Sequence, residues 1–399
     1  MIHRLVTGAR YVRRCGVVLG VLLCLAAVAG AGNVLALDSG GWQMAGYDGQ
    51  STFFNPGERV LGANTVGHLH TAWSYPGIYR AITTGGSVIG LVRHGLQNQI
   101  VVLNARTGGV LKVFTPSTLH LASPQSDSLQ ALAYANGRLI VAATHQVAAL
   151  DPSSGQLFWT VPGGATAVTV DHSVAYTGQS CRQRCAQLAA VAIDLRTGQV
   201  LWRHPGNFSG PAVLLNRRVY QVWGAAGNET RVFEPSTGSL VATLLIGAQW
   251  TGDLADSYAL QLQTAAGGAW SARIGADGKQ VWRADLSAAR SGNAVFAYHA
   301  LFVPSNRHQP GGILALAPGN GKPYWGAAIG PITRLIAANH LLYTLRADRG
   351  QVDILRATTG DVLKRIILPG FARGQPGDLM VDGGALYVIA NGKLTAMRP

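Results

Sequence analysis

Acidic residues and lysine are scarce in this sequence of 399 residues. It has 18 Asp and Glu against 32 Lys and Arg, and charged residues make up 13% of the chain, about half the share usual in soluble domains. Disordered chains combine high charge with few apolar residues, so the 48% of hydrophobic residues excludes that class. Only 5 lysines and 3 glutamates occur, without heptads, which excludes a coiled coil. The 51 glycines have no period of three, which excludes collagen.

Cysteine is also rare, and two of the four cysteines lie in the first 36 residues. The other two, Cys181 and Cys185, stand in a polar stretch between two strand patterns. An exported protein meets an oxidising compartment, so these residues predict a small disulfide. A redox dithiol activated by Arg182 and Arg184 is an alternative. A metal site is another, although zinc needs about four ligands.

Residues 1–36 have the features of a signal peptide. An arginine-containing stretch without acids precedes an apolar run over Val17–Val28, and Val34-Leu35-Ala36 fits a small-x-Ala cleavage site. We expect cleavage and export into the periplasm of a Gram-negative bacterium, with an uncleaved membrane anchor as the alternative. A lipid anchor is not expected, because the bulky Leu23 precedes Cys24.

One sequence motif, the turn phrase, recurs along the rest of the chain, with about 42 residues between its successive glycines. It consists of an apolar strand, Asp or a substitute, three residues, Gly and often Trp four residues later. Asp in such a turn accepts bonds from backbone amides and Gly adopts a positive φ, which predicts a hairpin. The clearest members are Asp151, Gly155 and Trp159; Asp194, Gly198 and Trp202; Gly278 and Trp282; and Gly321 and Trp325.

The pattern inside each repeat indicates a β-propeller. Each repeat has short β-rich runs separated by tight-turn residues, and amphipathic helices are absent. We therefore predict an all-β, eight-bladed β-propeller of four-stranded antiparallel blades, in which each Trp fills the space between neighbouring blades. Seven turn phrases are complete. The last strand pattern, Lys393–Met397, is a third strand with no outer strand after it, and His68–Trp73 is an outer strand with no blade before it. We therefore predict that the two chain ends pair and close the ring.

This prediction divides the chain into three parts. Residues 1–36 are the signal peptide, residues 37–67 an N-terminal arm packing on the propeller, and residues 68–399 the propeller. Ring closure pairs the two terminal strands, whose unpaired edges would otherwise invite aggregation, and we expect a monomer.

The repeats resemble those of the pyrroloquinoline-quinone (PQQ) propellers. The resemblance depends on the phrase Ala-x-Asp-x-x-Thr-Gly-x-x-x-Trp, complete at Ala192–Trp202, and on the opening formed by Trp42, Gly46–Pro56 and Asn64–Trp73. This superfamily includes quinoprotein dehydrogenases, the propeller subunit BamB of the outer-membrane β-barrel assembly machinery, and tetrathionate hydrolases of acidophiles. The resemblance implies the fold and leaves these functions open.

Few carboxylates are available for quinone chemistry. The dehydrogenases that the sequence resembles use PQQ, a Ca²⁺ ion and a carboxylate base, often above an adjacent Cys-Cys ring. This chain has no Cys-Cys, and its three glutamates are Glu58, Glu229 and Glu234. Most aspartates lie in turns, and Ca²⁺ wants six to eight oxygen ligands. We therefore expect neither PQQ nor a metal.

We favour a protein-binding scaffold of the cell envelope without bound PQQ, of which a BamB-like role in outer-membrane assembly is one form, over an enzyme. The alternatives are a quinoprotein dehydrogenase using PQQ and Ca²⁺, or a cofactor-free hydrolase of the tetrathionate hydrolase type. The candidate acids or bases are Asp127, Asp253 and Asp378, which lie outside the turn phrases. Two carboxylates with an arginine at one mouth of the channel would favour chemistry.

Histidine and net charge give weaker indications. We expect His68 and His70 to share one strand face and to pack there rather than bind a metal. His172, His299 and His340 fall at predicted hairpin tips, where they would be exposed. Without residues 1–36 the net charge is +10, which favours contact with anionic surfaces. Nucleic acid is not expected as a partner, since the basic residues are dispersed.

Overall fold

The structure is a computed structural model, and it describes most of the chain after residue 40. The described residues are 41–94, 97–115, 119, 128–179, 188–224, 229–252, 257–261, 268–275, 277–287, 292–306, 311–346, 348–371 and 377–399. Within this part of the chain, no helix is long and apolar enough to cross a membrane.

Four-stranded antiparallel sheets follow one another along the chain as blades. Blades 1 and 2 comprise β3 (Ile78–Thr84), β4 (Ser87–His94), β5 (Gln97–Asn104) and β6 (Val110–Phe114), then β7 (Leu129–Ala135), β8 (Arg138–Ala143), β9 (Gln146–Leu150) and β10 (Leu157–Pro162). Blades 3 and 4 comprise β11 (Ala165–Asp171), β12 (Val174–Gln179), β13 (Ala189–Asp194) and β14 (Val200–Pro205), then β15 (Phe208–Leu215), β16 (Arg218–Trp223), β17 (Glu229–Phe233) and β18 (Leu240–Leu244).

The second half of the chain repeats this pattern. Blades 5 and 6 comprise β19 (Gln249–Gly252), β20 (Ser257–Gln261), β21 (Trp270–Ile274) and β22 (Gln280–Asp285), then β23 (Val295–Ala297), β24 (Ala300–Ser305), β25 (Gly312–Leu316) and β26 (Pro323–Ala327). Blade 7 comprises β27 (Arg334–Ala338), β28 (Leu341–Arg346), β29 (Gln351–Arg356) and β30 (Val362–Ile367), and blade 8 begins with β31 (Asp378–Asp382), β32 (Ala385–Ala390) and β33 (Lys393–Arg398).

The two ends of the chain complete blade 8. The N-terminal strand β2 (His70–Pro76) pairs antiparallel with β33, so that His70 faces Arg398 and Pro76 faces Lys393. The first strand of each blade contacts the first strand of the next, and β31 contacts β3, so these inner strands surround an axis. The prediction of eight four-stranded blades closed by the terminal strands is confirmed.

Tryptophans of the outer strands join neighbouring blades. The indole of Trp159 on β10 packs on Gly198 of blade 3, where a Cβ atom would lie 2.5 Å from the indole Cγ. Its Nε1 also donates a hydrogen bond of 2.9 Å to the carbonyl of Leu195. The same indole-to-carbonyl bond joins Trp73 to Ala105 (3.1 Å), Trp202 to Pro235 (2.7 Å), Trp282 to Pro318 (2.7 Å) and Trp325 to Ala357 (3.1 Å).

Three of the eight junctions differ from this arrangement, and the one between blades 7 and 8 has no Trp because β30 contains none. Phe114 ends β6 and contacts Gly155, so a phenyl ring replaces the indole between blades 1 and 2. In blade 4 the equivalent position is Ala242, and Leu244 lies nearest Gly278 of blade 5. The junction between blades 4 and 5 therefore has neither the large ring nor its hydrogen bond.

The repeated turn phrase forms the hairpin between the third and fourth strands. In blade 3 the carboxylate of Asp194 accepts bonds of 2.7 Å from the hydroxyl and the amide of Thr197, and Gly198 has a φ of +76°. These two hydrogen bonds lower the pKa of Asp194, because they stabilise its charged form. The Asp therefore fixes the turn, while Gly supplies the left-handed backbone and leaves space for the neighbouring Trp.

The histidine predictions have mixed outcomes. His68 lies in the 3-10 helix η1 (Val66–His68), outside strand β2, and both His68 and His70 are exposed. The prediction that these two side chains share a strand face and pack there is therefore wrong, because a helical turn ends between them. His172, His299 and His340 are exposed at hairpins, as predicted.

Candidate functional site

The N-terminal arm crosses one end of the axial channel. Its backbone and side chains bond to residues near the carboxyl ends of the inner strands, where the first hairpin of each blade begins. These bonds are Trp42 N to Thr83 Oγ1 (2.7 Å), Tyr134 N to Gln43 O (2.8 Å), Leu214 N to Gly49 O (2.7 Å), Thr251 Oγ1 to Ser51 O (2.8 Å), Ala337 N to Phe53 O (2.9 Å) and Asn55 Nδ2 to Val381 O (2.8 Å). The arm thereby links six of the eight blades and covers this end of the channel.

Local turns give the arm its shape. Asp48 accepts bonds from the amide of Thr52 (3.0 Å) and from its hydroxyl (2.7 Å). Tyr47, Ser51 and Phe53 all have positive φ, which bends the backbone tightly. A short strand, β1 (Phe54–Asn55), then runs parallel to β27 and extends the sheet of blade 7.

A buried carboxylate anchors the end of the arm to blade 8. The side chain of Glu58 accepts bonds from the amides of Val60 (2.6 Å), Leu61 (3.0 Å) and Gly384 (3.0 Å). Glu58 is buried, and these three donors replace the water that its charge would otherwise require. This glutamate therefore has a structural role in holding the arm, away from the axial channel.

The arm converts the axial channel into a cavity of about 650 Å³. Trp42, Gly46, Ser51 and Phe53 form its floor, and the inner strands form its walls. This volume is within the range of about 300–1,000 Å³ found for small-molecule sites. The cavity is therefore the candidate functional site of the described propeller.

One side of the cavity is charged. Arg334 is the first residue of β27, Asp378 the first of β31, and Arg80 the third of β3, so three consecutive blades each contribute one charge. The Nε of Arg334 lies 2.7 Å from Oδ1 of Asp378, and the guanidinium of Arg334 lies 5.3 Å from the ring centroid of Phe53. The ion pair and the aromatic ring together fix the Arg334 side chain.

The wall contributed by blades 4 and 5 is mainly apolar. It includes Val213, Tyr220, Trp250 and Leu260. The rings of Tyr220 and Trp250 lie 4.9 Å apart, and the indole of Trp250 donates a 2.9 Å bond to the hydroxyl of Thr230. This wall lies at the junction between blades 4 and 5, which has no outer-strand Trp, and Tyr220 and Trp250 pack there instead.

Of the three candidate acids or bases, the structure brings Asp378 to the cavity. Asp127 and Asp253, like the predicted disulfide partners Cys181 and Cys185, lie outside the described residues. Asp378 lines the cavity with two arginines, and no second carboxylate occurs among the described lining residues. The two-carboxylate arrangement that would favour chemistry is thus not formed by this part of the chain.

Sequence reasoning missed Arg80 and Arg334. Both follow the outer strand of the preceding repeat and begin an apolar run that becomes an inner strand. In a propeller the start of each inner strand borders the axis, so a charged residue at that position of a repeat is the signal that could have found them.

The cavity residues do not fit the quinone and calcium pair that the resemblance implies. The one carboxylate among the described lining residues, Asp378, is already paired with Arg334. Asn293 also lines the cavity, but both polar atoms of its side-chain amide are already hydrogen-bonded. Its Oδ1 accepts a bond from Leu335 N (2.9 Å), and its Nδ2 donates one to Leu335 O (2.8 Å). Ca²⁺ requires six to eight oxygens, commonly from several carboxylates. Within the described residues, no group of three or more His, Cys, Asp or Glu could hold a metal ion.

Comparison with protein families gives one match. Residues 77–212 match a family described as outer membrane protein assembly factor BamB. These residues span blade 1 through most of the inner strand of blade 4, which is about a third of the chain. No curated protein sequence matches the chain.

Solved structures with similar folds come from two functional groups. The quinohemoprotein alcohol dehydrogenase ADHIIG from Pseudomonas putida HK5 is 12% identical, with a TM-score of 0.65, covering 90% of this chain and 80% of that one. The quinohemoprotein alcohol dehydrogenase from Comamonas testosteroni is 13% identical, with a TM-score of 0.63 and the same coverages. BamB from Moraxella catarrhalis is 15% identical, with a TM-score of 0.61, covering 83% of this chain and 100% of that one.

These identities are too low to carry an activity from one protein to another, so the structural matches establish the fold alone. They include proteins named as enzymes and a protein named as an assembly factor. The structural neighbours confirm the β-propeller fold, and the family match over residues 77–212 agrees with the PQQ-like repeats that the sequence indicated there.

Proposed function

We propose that this chain is an exported binding propeller of the cell envelope, which adds an extended segment of a partner protein to the outer edge of blade 4. Outer strands of a propeller have one edge paired with the third strand and one edge free. Natural sheet proteins protect free edges with charged residues or proline, because an unprotected edge pairs with other strands.

The proposal depends on strand β18, because its free edge lacks these protecting residues. Its sequence is Leu-Val-Ala-Thr-Leu, and it contains neither a charged residue nor proline. Each of the other seven outer strands contains at least one of them. The protecting residues are Pro76 in β2, Lys112 in β6, Pro162 in β10, Arg203 and Pro205 in β14, Arg283 and Asp285 in β22, Pro323 in β26, and Lys364 and Arg365 in β30.

The side chains of this edge are also exposed. Leu240 is 45% exposed, Val241 52%, and Leu245, which directly follows the strand, 82%. Free backbone groups give a strand partner its hydrogen bonds, and exposed apolar side chains favour an apolar partner segment. An extended, uncharged segment of another protein therefore suits this edge best.

The match to an outer membrane protein assembly factor supports an envelope role for the partner, and the signal-peptide features of residues 1–36 support export. An assembly-machinery component or one of its clients is the partner class we propose. Export is tested separately by N-terminal sequencing of the mature protein, which should begin close to Leu37.

A photo-crosslinking residue at position 245, introduced in the producing bacterium, tests the binding edge. We expect one defined crosslinked partner, and we expect Val241→Lys to abolish it, because a charged side chain protects an edge. Val281→Lys in β22 is the matched control, since Val281 occupies the equivalent position of blade 5 and is 55% exposed.

Two results would contradict the proposal. Equal loss of the crosslink in the Val241→Lys and Val281→Lys variants would show that the edge of blade 4 has no special role. A crosslink to a second copy of this chain would show that the edge mediates self-association instead.

A further inference from the structure

The axial cavity separates charge from apolar surface. Arg334, Asp378 and Arg80 stand at the starts of inner strands in blades 7, 8 and 1, which are neighbours in the ring. Tyr220 and Trp250 belong to blades 4 and 5, across the axis. A ligand that fills the cavity therefore meets charged groups on one side and aromatic rings on the other.

The charged side has a net positive charge. Asp378 neutralises Arg334 through the 2.7 Å ion pair, and its Oδ1 also accepts a 2.9 Å bond from the amide of Leu379. Arg80 is exposed to the cavity and forms no ion pair with the described residues. One guanidinium thus remains available, and its planar donors match a carboxylate in a bidentate geometry.

We propose that the axial cavity binds an amphiphilic organic monoanion. Its carboxylate pairs with Arg80, beside the Arg334–Asp378 ion pair, and its apolar body lies against the Tyr220 and Trp250 wall. The floor supplied by the arm adds the ring of Phe53. The net charge of the three side chains is +1, which matches one negative charge on the ligand and disfavours a polyanion.

The proposed anion site differs from the cofactor site that the fold suggests. Among the described lining residues the one carboxylate, Asp378, is used to hold an arginine, so the cavity selects an anion where a calcium-dependent site would select a cation. It is also independent of the edge of blade 4, because β18 is an outer strand and contributes none of the described cavity residues.

Isothermal titration calorimetry with 2-naphthoate tests the inference on the full mature chain. This probe joins one carboxylate to an apolar ring system, and 2-naphthamide is its uncharged counterpart. We expect saturable binding of the naphthoate at one site per chain and at least tenfold weaker binding of the amide. Comparable binding of both probes, or no binding of the naphthoate at millimolar concentration, would overturn the proposal without any variant.

Two substitutions then locate the site. Arg80→Gln should weaken naphthoate binding at least tenfold, since a hydrogen-bonded charge pair is lost. Asp378→Asn should strengthen binding several-fold, because it releases Arg334 and raises the net charge of the cavity to +2. Melting curves of both variants establish that the propeller remains folded.

Arg106→Gln is the matched control for charge. Arg106 lies in the exposed hairpin between the third and fourth strands of the same blade as Arg80, outside the cavity. Its replacement changes the net charge equally and should leave naphthoate binding within twofold of the unmodified chain. Equal effects of Arg80→Gln and Arg106→Gln would show that only general electrostatic attraction is measured, and would overturn the proposed site.

Discussion

The indole of Trp159 in blade 2 lies directly against the α-carbon of Gly198 in blade 3, so the two blades fit together at this contact. A Cβ on Gly198 would approach the indole Cγ to 2.5 Å, and the indole nitrogen bonds to the carbonyl of Leu195 three residues earlier. The turn and the tryptophan of the repeated phrase therefore act on different blades, and together they set the spacing between them.

Replacing Gly198 with alanine should destabilise the protein by about 3 kcal/mol or more, because the methyl group clashes with Trp159 and the φ of +76° disfavours a side chain. Gly383→Ala separates the two causes, because Gly383 has a φ of +56° and a Cβ there would meet open space. This substitution should therefore cost about 1 kcal/mol. Gly319→Ala, with open space and no positive φ, should stay within about 0.5 kcal/mol. Urea unfolding measures all three; equal losses would refute this account.

Trp202 offers a graded test of the same junction type. Trp202→Phe keeps a ring between blades 3 and 4 and removes the bond to the Pro235 carbonyl, so it should cost about 1 kcal/mol beyond the lost ring area. Trp202→Ala also leaves a cavity and should cost about 3–5 kcal/mol. The comparison requires denaturant unfolding of both variants, and a phenylalanine variant as unstable as the alanine variant would contradict it.

Ring closure depends on β33, which pairs with both β2 and β32. Deleting residues 393–399 removes the strand between these two, which leaves β2 unpaired and β32 paired with β31 alone. The expected loss is comparable to the whole stability of a domain, about 5–15 kcal/mol, so cooperative unfolding should disappear. Deletion of Pro399 alone is the control, and a truncated chain with an unchanged melting transition would argue against closure by this strand.

Asp48 predicts a pH dependence of stability. Burial raises its pKa to about 6, above the unfolded value of about 3.9. The folded state therefore binds the proton more tightly, so this group's contribution to stability is complete below about pH 4 and is lost as the pH rises through 6.

The variant Asp48→Asn cannot lose a proton and keeps an oxygen that accepts from Thr52. Relative to this variant, the unmodified protein should lose on the order of 1–2 kcal/mol between pH 4 and 7. Urea unfolding at four pH values measures the difference. A difference that is constant, or that grows in the opposite direction, would show that Asp48 does not control it.

Cys181 and Cys185 remain a prediction from the sequence. A disulfide between them closes a loop of five residues, which should contribute about 2 kcal/mol. Peptide mapping of the exported protein without reductant should find the pair oxidised, and reductant should lower the melting temperature by a few degrees. Free thiols in the exported protein would leave the redox or metal alternatives for this pair.

The sequence by itself determined the number of blades and the closure of the ring. Each repeat carries its own turn signals, so local physics fixes one hairpin per phrase, and the unmatched strands at the two ends require each other. The tertiary structure decided the cavity, because Arg80, Arg334 and Asp378 are separated by up to 298 positions in the chain and meet only when the ring closes. It also decided the role of the arm, whose bonds to six blades depend on where the inner strands end. Contacts across the axis leave no local periodic pattern in the sequence, so the repeats predict the fold but do not predict the site.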